Sequence, residues 1–221
     1  MKLFKRLPKG ELATYGMAEW FYNLTPAEQD DLKEGYKRME APLGIPPERL
    51  YEGNISVGDS RNTQQFFLLG LGSCANVVNN IVLAEKIWLM DLDARGDEPI
   101  TRHFIYNSLI ELYYRQRETR ADALESSVRY CIEDIERIGR FIAAWKQEEK
   151  RIAASVGHKI PKDEEIEIPR IPSFQRLIII YEKQGKIKEA IELCQHAIGL
   201  GLHDNTKGGF EGRLARLQRR G

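Results

Sequence analysis

The sequence predicts an all-α protein built from antiparallel helical hairpins. Three observations carry this expectation. Residues 172–202 read as two short amphipathic helices around a glycine turn. Leu24-Thr25-Pro26-Ala27-Glu28 is a strong helix start. From Val128 to Trp145, apolar residues recur at alternating spacings of three and four. These are periods of a helix packed on neighbours, and no sheet is expected.

Taken in chain order, residues 1–10 form a basic arm, MKLFKRLPKG. Glu11–Tyr22 is a helix bearing Leu12, Tyr15, Met17, Trp20 and Phe21. The next helix runs from Pro26 to about Met39. Thr25 caps it, Pro26 suits the first helical position, and Glu28 reaches back to the cap amide. Pro42, Pro46, Pro47, Gly53 and Gly58 punctuate Ala41–Arg61, a loop with at most a short helical turn.

Thr63–Val77 opens a hairpin, with Leu68, Leu71, Gly72 and Ala75 on one helix and Ala84 and Trp88 on the next. Asn79 and Asn80 make the turn, because asparagine tolerates the left-handed conformation. Asp93–Pro99 closes it. Thr101–Arg117 opens a third pair, with Ile110, Glu111 and Tyr114 followed by Ala123 and Ser127. Its second helix continues to about Ala154 on a seam of Val128, Cys131, Ile135, Ile138, Ile142 and Trp145. The simplest reading is one long helix lying along its neighbours. A homodimeric coiled coil through residues 128–145 is the alternative, short of the usual heptad count. Ser155–Pro172, with Gly157, Pro161 and Pro169, is an extended linker or an overlay on the helices.

In the core hairpin, Phe174, Leu177, Ile178 and Tyr181 share a face, and Ser173 is placed to cap it. Gly185 turns the chain. Ile187, Ala190, Ile191, Cys194, Ala197 and Ile198 form the second stripe, which Gly199 and Gly201 end. A turn at Asn205–Gly209 leads to a last helix with Phe210, Leu214 and Leu217 inward. About eight or nine helices result. The expected divisions are 1–60, 61–155, 156–171 and 172–221.

Phe174-x-x-Leu177-Ile178-x-x-Tyr181 followed by Ala190-x-x-x-Cys194 resembles the signature of the tetratricopeptide repeat (TPR), over about one repeat of roughly 34 residues. It departs at Phe174, Ile178, Cys194 and Leu202, where the family has Trp, a small residue, Phe and Pro. The unequal spacing of Ala84, Ala123 and Ala190 makes the chain a degenerate TPR-like array with insertions. The resemblance implies a groove lined by the first helix of each pair: Ser73, Asn76, Ser108, Leu112, Arg115, Gln116, Gln175, Ile179 and Lys183. Its ligand would be an unidentified protein or peptide, unless the protein's own 155–172 segment fills it.

Composition narrows the function. The 221 residues hold 33 basic and 33 acidic side chains, which argues against a globally basic nucleic-acid protein. Basic tips at Lys2, Lys5, Arg6 and Lys9, and at Lys207, Arg213, Arg216, Arg219 and Arg220, keep nucleic-acid binding as the rival reading. Cys74, Cys131 and Cys194 are far apart and read as small hydrophobes. No secretory signal or membrane span is expected, and a reducing cytoplasm is the default. His103, His158, His196 and His203 build no recognised metal or nucleophile motif. Lys207–Arg213 precedes a helix N-terminus but lacks the P-loop spacing, and reads as a turn. The sequence therefore predicts a non-enzymatic interaction protein without cofactor or metal.

Overall fold

The computed structural model describes residues 10–52, 63–93, 98–204 and 206–220. Most of the expected basic arm, Gly53, Gly58, much of the 93–99 closure and Asn205 lie outside them. Among the described residues there are ten α-helices and no strand. The chain divides into two compact units, Met1–Ile105 and Tyr106–Gly221. The expected boundaries after residues 60, 155 and 171 fall inside these units.

The first unit begins with α1 (Gly10–Thr14) and α2 (Ala18–Asn23). They replace the single expected helix over Glu11–Tyr22. Gly16 lies at φ +70°, a left-handed position open to glycine, and the chain turns there. The next helix, α3 (Pro26–Glu40), starts as the sequence predicts. The Glu28 amide donates to Thr25 Oγ1 at 3.2 Å, and the Thr25 amide donates to Glu28 Oε2 at 2.8 Å. Two 3-10 turns, Ala41–Leu43 and Pro47–Leu50, follow, and Leu50 is fully buried.

Helix α4 (Gln64–Val77) is capped by Thr63, and α5 (Ile81–Asp93) follows across Asn79, at φ +65°. Asn80 ties the turn down twice. Its Oδ1 accepts from the Leu83 amide at 3.1 Å, and its Nδ2 donates to Asp31 on α3 at 2.8 Å. Two glycines set the helix spacings. A Cβ on Gly35 of α3 would lie 2.1 Å from the Cys74 carbonyl oxygen of α4. A Cβ on Gly72 would lie 2.1 Å from the Trp88 indole nitrogen of α5. Backbone meets backbone in the first contact and an aromatic ring in the second.

Helix α6 (Pro99–Gln116) contains the division between the units. In the second unit it packs on α7 (Ala123–Ser155). Tyr113 stacks on Tyr130 at 5.6 Å, and Ser127 Oγ donates to the Ile110 carbonyl at 3.3 Å. The seam of α7 keeps Cys131, Ile135 and Ile138 of the expected one, all buried, and adds others. Ser127, Asp134 and Phe141 are fully buried, with Cys131 and Ile138, while Val128 and Ile142 are only half-buried. Polar Ser127 and Asp134 share the buried face, which an apolar count passes over.

Residues 156–171 fold back along α7, as an overlay. Trp145 Nε1 donates to the Glu167 carbonyl at 3.2 Å, Lys150 pairs with Asp163, and Ile166 and Ile171 are buried. The core hairpin follows as α8 (Pro172–Lys183) and α9 (Ile187–Gly199) around Gly185 at φ +75°. Ser173 does not cap α8. It lies inside the first turn and is fully buried, with Ile171 in the cap position. Ala190, Cys194 and Ala197 are fully buried. Helix α10 (Gly209–Gln218) covers the end, with Phe210 edge-on to Phe174 at 6.4 Å.

Two contrasts test these contacts by thermal melting. Ala190→Leu overpacks a closed contact and should cost about 1–3 kcal/mol. Glu189→Leu, on the exposed side of α9, should change stability little. Likewise Gly35→Ala should destabilise by about 2 kcal/mol or more, because a helix backbone must move. Gly70→Ala, where a Cβ meets open space, should stabilise by up to about 1 kcal/mol through helix propensity.

Candidate functional site

The residues of the expected groove do not all present a free surface. Ser73 and Asn76 belong to the first unit and the other seven to the second. Leu112 is fully buried, so it is a core side chain. Ser73 Oγ donates to the Leu69 carbonyl at 2.9 Å, and Gln116 Nε2 to the Leu112 carbonyl at 3.2 Å. Arg115 lies 3.9 Å from Glu111, which Arg176 of α8 also binds at 2.8 Å. Arg170 occupies the Gln175 side-chain oxygen. Asn76, Ser108 and Ile179 are half-buried, and Lys183 is exposed.

A cleft of about 320 Å³ lies instead within the first unit. Its walls come from the end of α3, the 3-10 turns, the start of α4 and the α1 region. Tyr15 and Phe67, stacked at 4.5 Å, form part of its apolar side. Met39, Leu43 and Phe66 form the rest, and they are 38%, 71% and 52% exposed. Apolar side chains of this size left open to water around a concave surface make it a candidate site. Gly70 lies between them, with open space where a side chain would stand.

The other end of the cleft is polar. Glu11 receives Tyr36 Oη at 3.0 Å and Arg49 Nε at 2.8 Å, so both donors are committed to one carboxylate. Glu40 stands beside them. Burial pushes its carboxyl above the ordinary glutamate range and Glu11 pushes it further, while Arg49 opposes them. Cys74, on the wall, has its thiol pushed up to about 12 by burial and by the Glu40 and Glu11 charges. A thiolate nucleophile at neutral pH is therefore closed to it.

No motif spacing joins these residues, which come from four stretches of chain. One sequence signal does point to the site. In a chain that is 30% charged, residues 62–84 contain no Asp, Glu, Lys or Arg. This stretch forms α4 and the first turn of α5, yet Phe66, Val77 and Val82 are exposed.

Other candidates resolve into structure. His196 packs edge-on against Phe174 at 5.2 Å. Arg213, read from the sequence as part of a basic tip, is buried. It reaches Asp204 at 3.4 Å and Glu182 at 3.9 Å, and Arg216 reaches Glu182 at 3.5 Å. Burial raises the Asp204 carboxyl, but the Thr206 hydroxyl and amide and the Arg213 charge outweigh it, leaving a net depression. The turn at 206–209 thus closes α10 over an ion pair. Among the described residues, no group of three or more His, Cys, Asp or Glu could hold a metal, and no helix is long and apolar enough to cross a membrane.

Comparison with known proteins adds one relative. The chain is 26% identical over 187 residues to an uncharacterized protein of Aquifex aeolicus (strain VF5), covering 84% of this chain and 82% of that one. No family model and no solved structure matches.

One further buried acid gives a pH test. Asp91 on α5 is 1% exposed, and burial raises its carboxyl to about 6 against the opposing pull of Arg102 and Gln65. Its folded pKa lies above its unfolded value, so its contribution is full below about pH 4 and is lost as pH rises through about 6. Asp91→Asn should match the wild type near pH 4. By pH 7.5 it should be the more stable, by on the order of 1–3 kcal/mol in chemical denaturation.

Proposed function

We propose that the protein is a non-enzymatic interaction module, a degenerate TPR-like array of helical hairpins that binds a peptide or protein partner. The observation that carries this reading is the cleft of the first unit. It joins exposed Met39, Leu43 and Phe66 to a fixed polar end. The hairpins α4/α5 and α8/α9 add support, because each buries small residues at the expected positions: Gly72 and Ala84 in one, Ala190 and Ala197 in the other. Such scaffolds hold concave surfaces for extended ligands. The rival, nucleic acid gripped by the basic ends, is weakened by the engagement of Arg213 and Arg216 with acidic partners.

Affinity capture from an extract of the source organism tests the reading. The full chain should retain a discrete protein or peptide that the Leu43→Asp/Phe66→Asp variant, folded by circular dichroism, does not. The reading fails if both retain the same set. It fails also if the retained material is nucleic acid that salt releases steeply.

A further inference from the structure

The lining of the cleft specifies a charge as well as an apolar shape. Two carboxylates, Glu11 and Glu40, and one guanidinium, Arg49, face it, leaving a net negative charge. Arg49 and the Tyr36 hydroxyl are both spent on Glu11. Glu40 has no ion pair among the described residues, although it is half-buried and its carboxyl is raised by that burial. An anionic ligand would meet two carboxylates. A purely apolar ligand would cover Glu40 and strip its charge of water, with only the partial compensation of Arg49, which is costly.

A cation removes that cost. Tyr15, Tyr36, Phe66 and Phe67 line the same cleft, and aromatic rings attract ammonium and guanidinium groups, most strongly where water is excluded. The space, about 320 Å³, is at the lower end of ligand pockets and suits one long side chain with parts of its neighbours.

We infer that the cleft receives an arginine or lysine side chain of a partner peptide, flanked by large apolar residues, with its cationic head against Glu40 and its stem against Phe66 and Met39. This rests on reading the chain as a peptide-binding module, and it names which peptides that module selects.

The test is selection of a randomised dodecapeptide phage library on the immobilised full-length chain. Recovered sequences should carry Arg or Lys beside Leu, Met or Phe. The same peptides, made synthetically, should bind Glu40→Gln roughly ten- to a hundredfold more weakly, the usual effect of losing a charged hydrogen-bond partner. They should not bind Gly70→Leu, which fills the cleft, keeps every charge and replaces a helical glycine that has open space beside it. Recovered peptides without a cation, or binding unchanged in Glu40→Gln, would overturn this inference and leave the peptide-binding reading standing. No enrichment over the bare support would overturn both. A chain dimer lost on Phe66→Ser would assign the cleft to a second copy and equally overturn the inference.

Discussion

The first unit depends on the crossing of α3 and α4 at Gly35. The missing side chain lets two helix backbones meet at Cys74, closer than a Cβ allows. About one to two turns away, Met39 and Glu40 on α3 and Gly70 and Phe66 on α4 line a cavity. The contact and the cleft are thus parts of one geometry. The crossing holds the helices at one point, and the larger side chains beyond it bound a space they do not fill. Gly72 against Trp88 secures α4 from the other side. Glycine contacts thus fix α4 on both sides of the cleft wall it supplies.

Charge plays a different part in each region. Several ion pairs among the described residues are exposed and local, such as Arg38–Glu34 and Lys33–Asp30, and such pairs contribute little. They keep a neutral chain solvated. Stability comes from apolar packing and from a few polar groups drawn inside, among them Asp204 with Arg213 and Ser127 against the Ile110 carbonyl. The three buried cysteines follow the same logic. Burial raises all three thiols, so they pack as small hydrophobes.

What the sequence made legible was local. The Thr25–Glu28 box, the Asn79 turn and the buried face of α9 each depend on residues within a turn or two of one another. What it concealed was decided by tertiary contact. Ser173 looks like a cap, but the hairpin draws it inside. The α7 seam looks like it passes through Val128 and Ile142 because an apolar pattern skips a buried Ser127 or Asp134. Arg213 looks like a free cation until the chain brings Asp204 beside it. The cleft was hidden for the same reason, since Glu11, Glu40, Arg49 and Phe66 acquire their relation only when α1, α3 and α4 pack. The one trace at sequence level is the uncharged run over 62–84, which needs the exposure of Phe66 to be read as a surface.

The central claim is that the cleft keeps a half-buried carboxylate waiting for a cation. Carbon-13 carboxyl NMR of Glu40, followed through a pH titration of the free protein and again at saturation with a selected peptide, measures this directly. The account predicts a pKa above the ordinary glutamate value in the free protein and a clear fall when the peptide is bound, because an opposite charge favours ionisation. A free-state value at or below the ordinary one, or a value that saturation leaves unmoved, would contradict it.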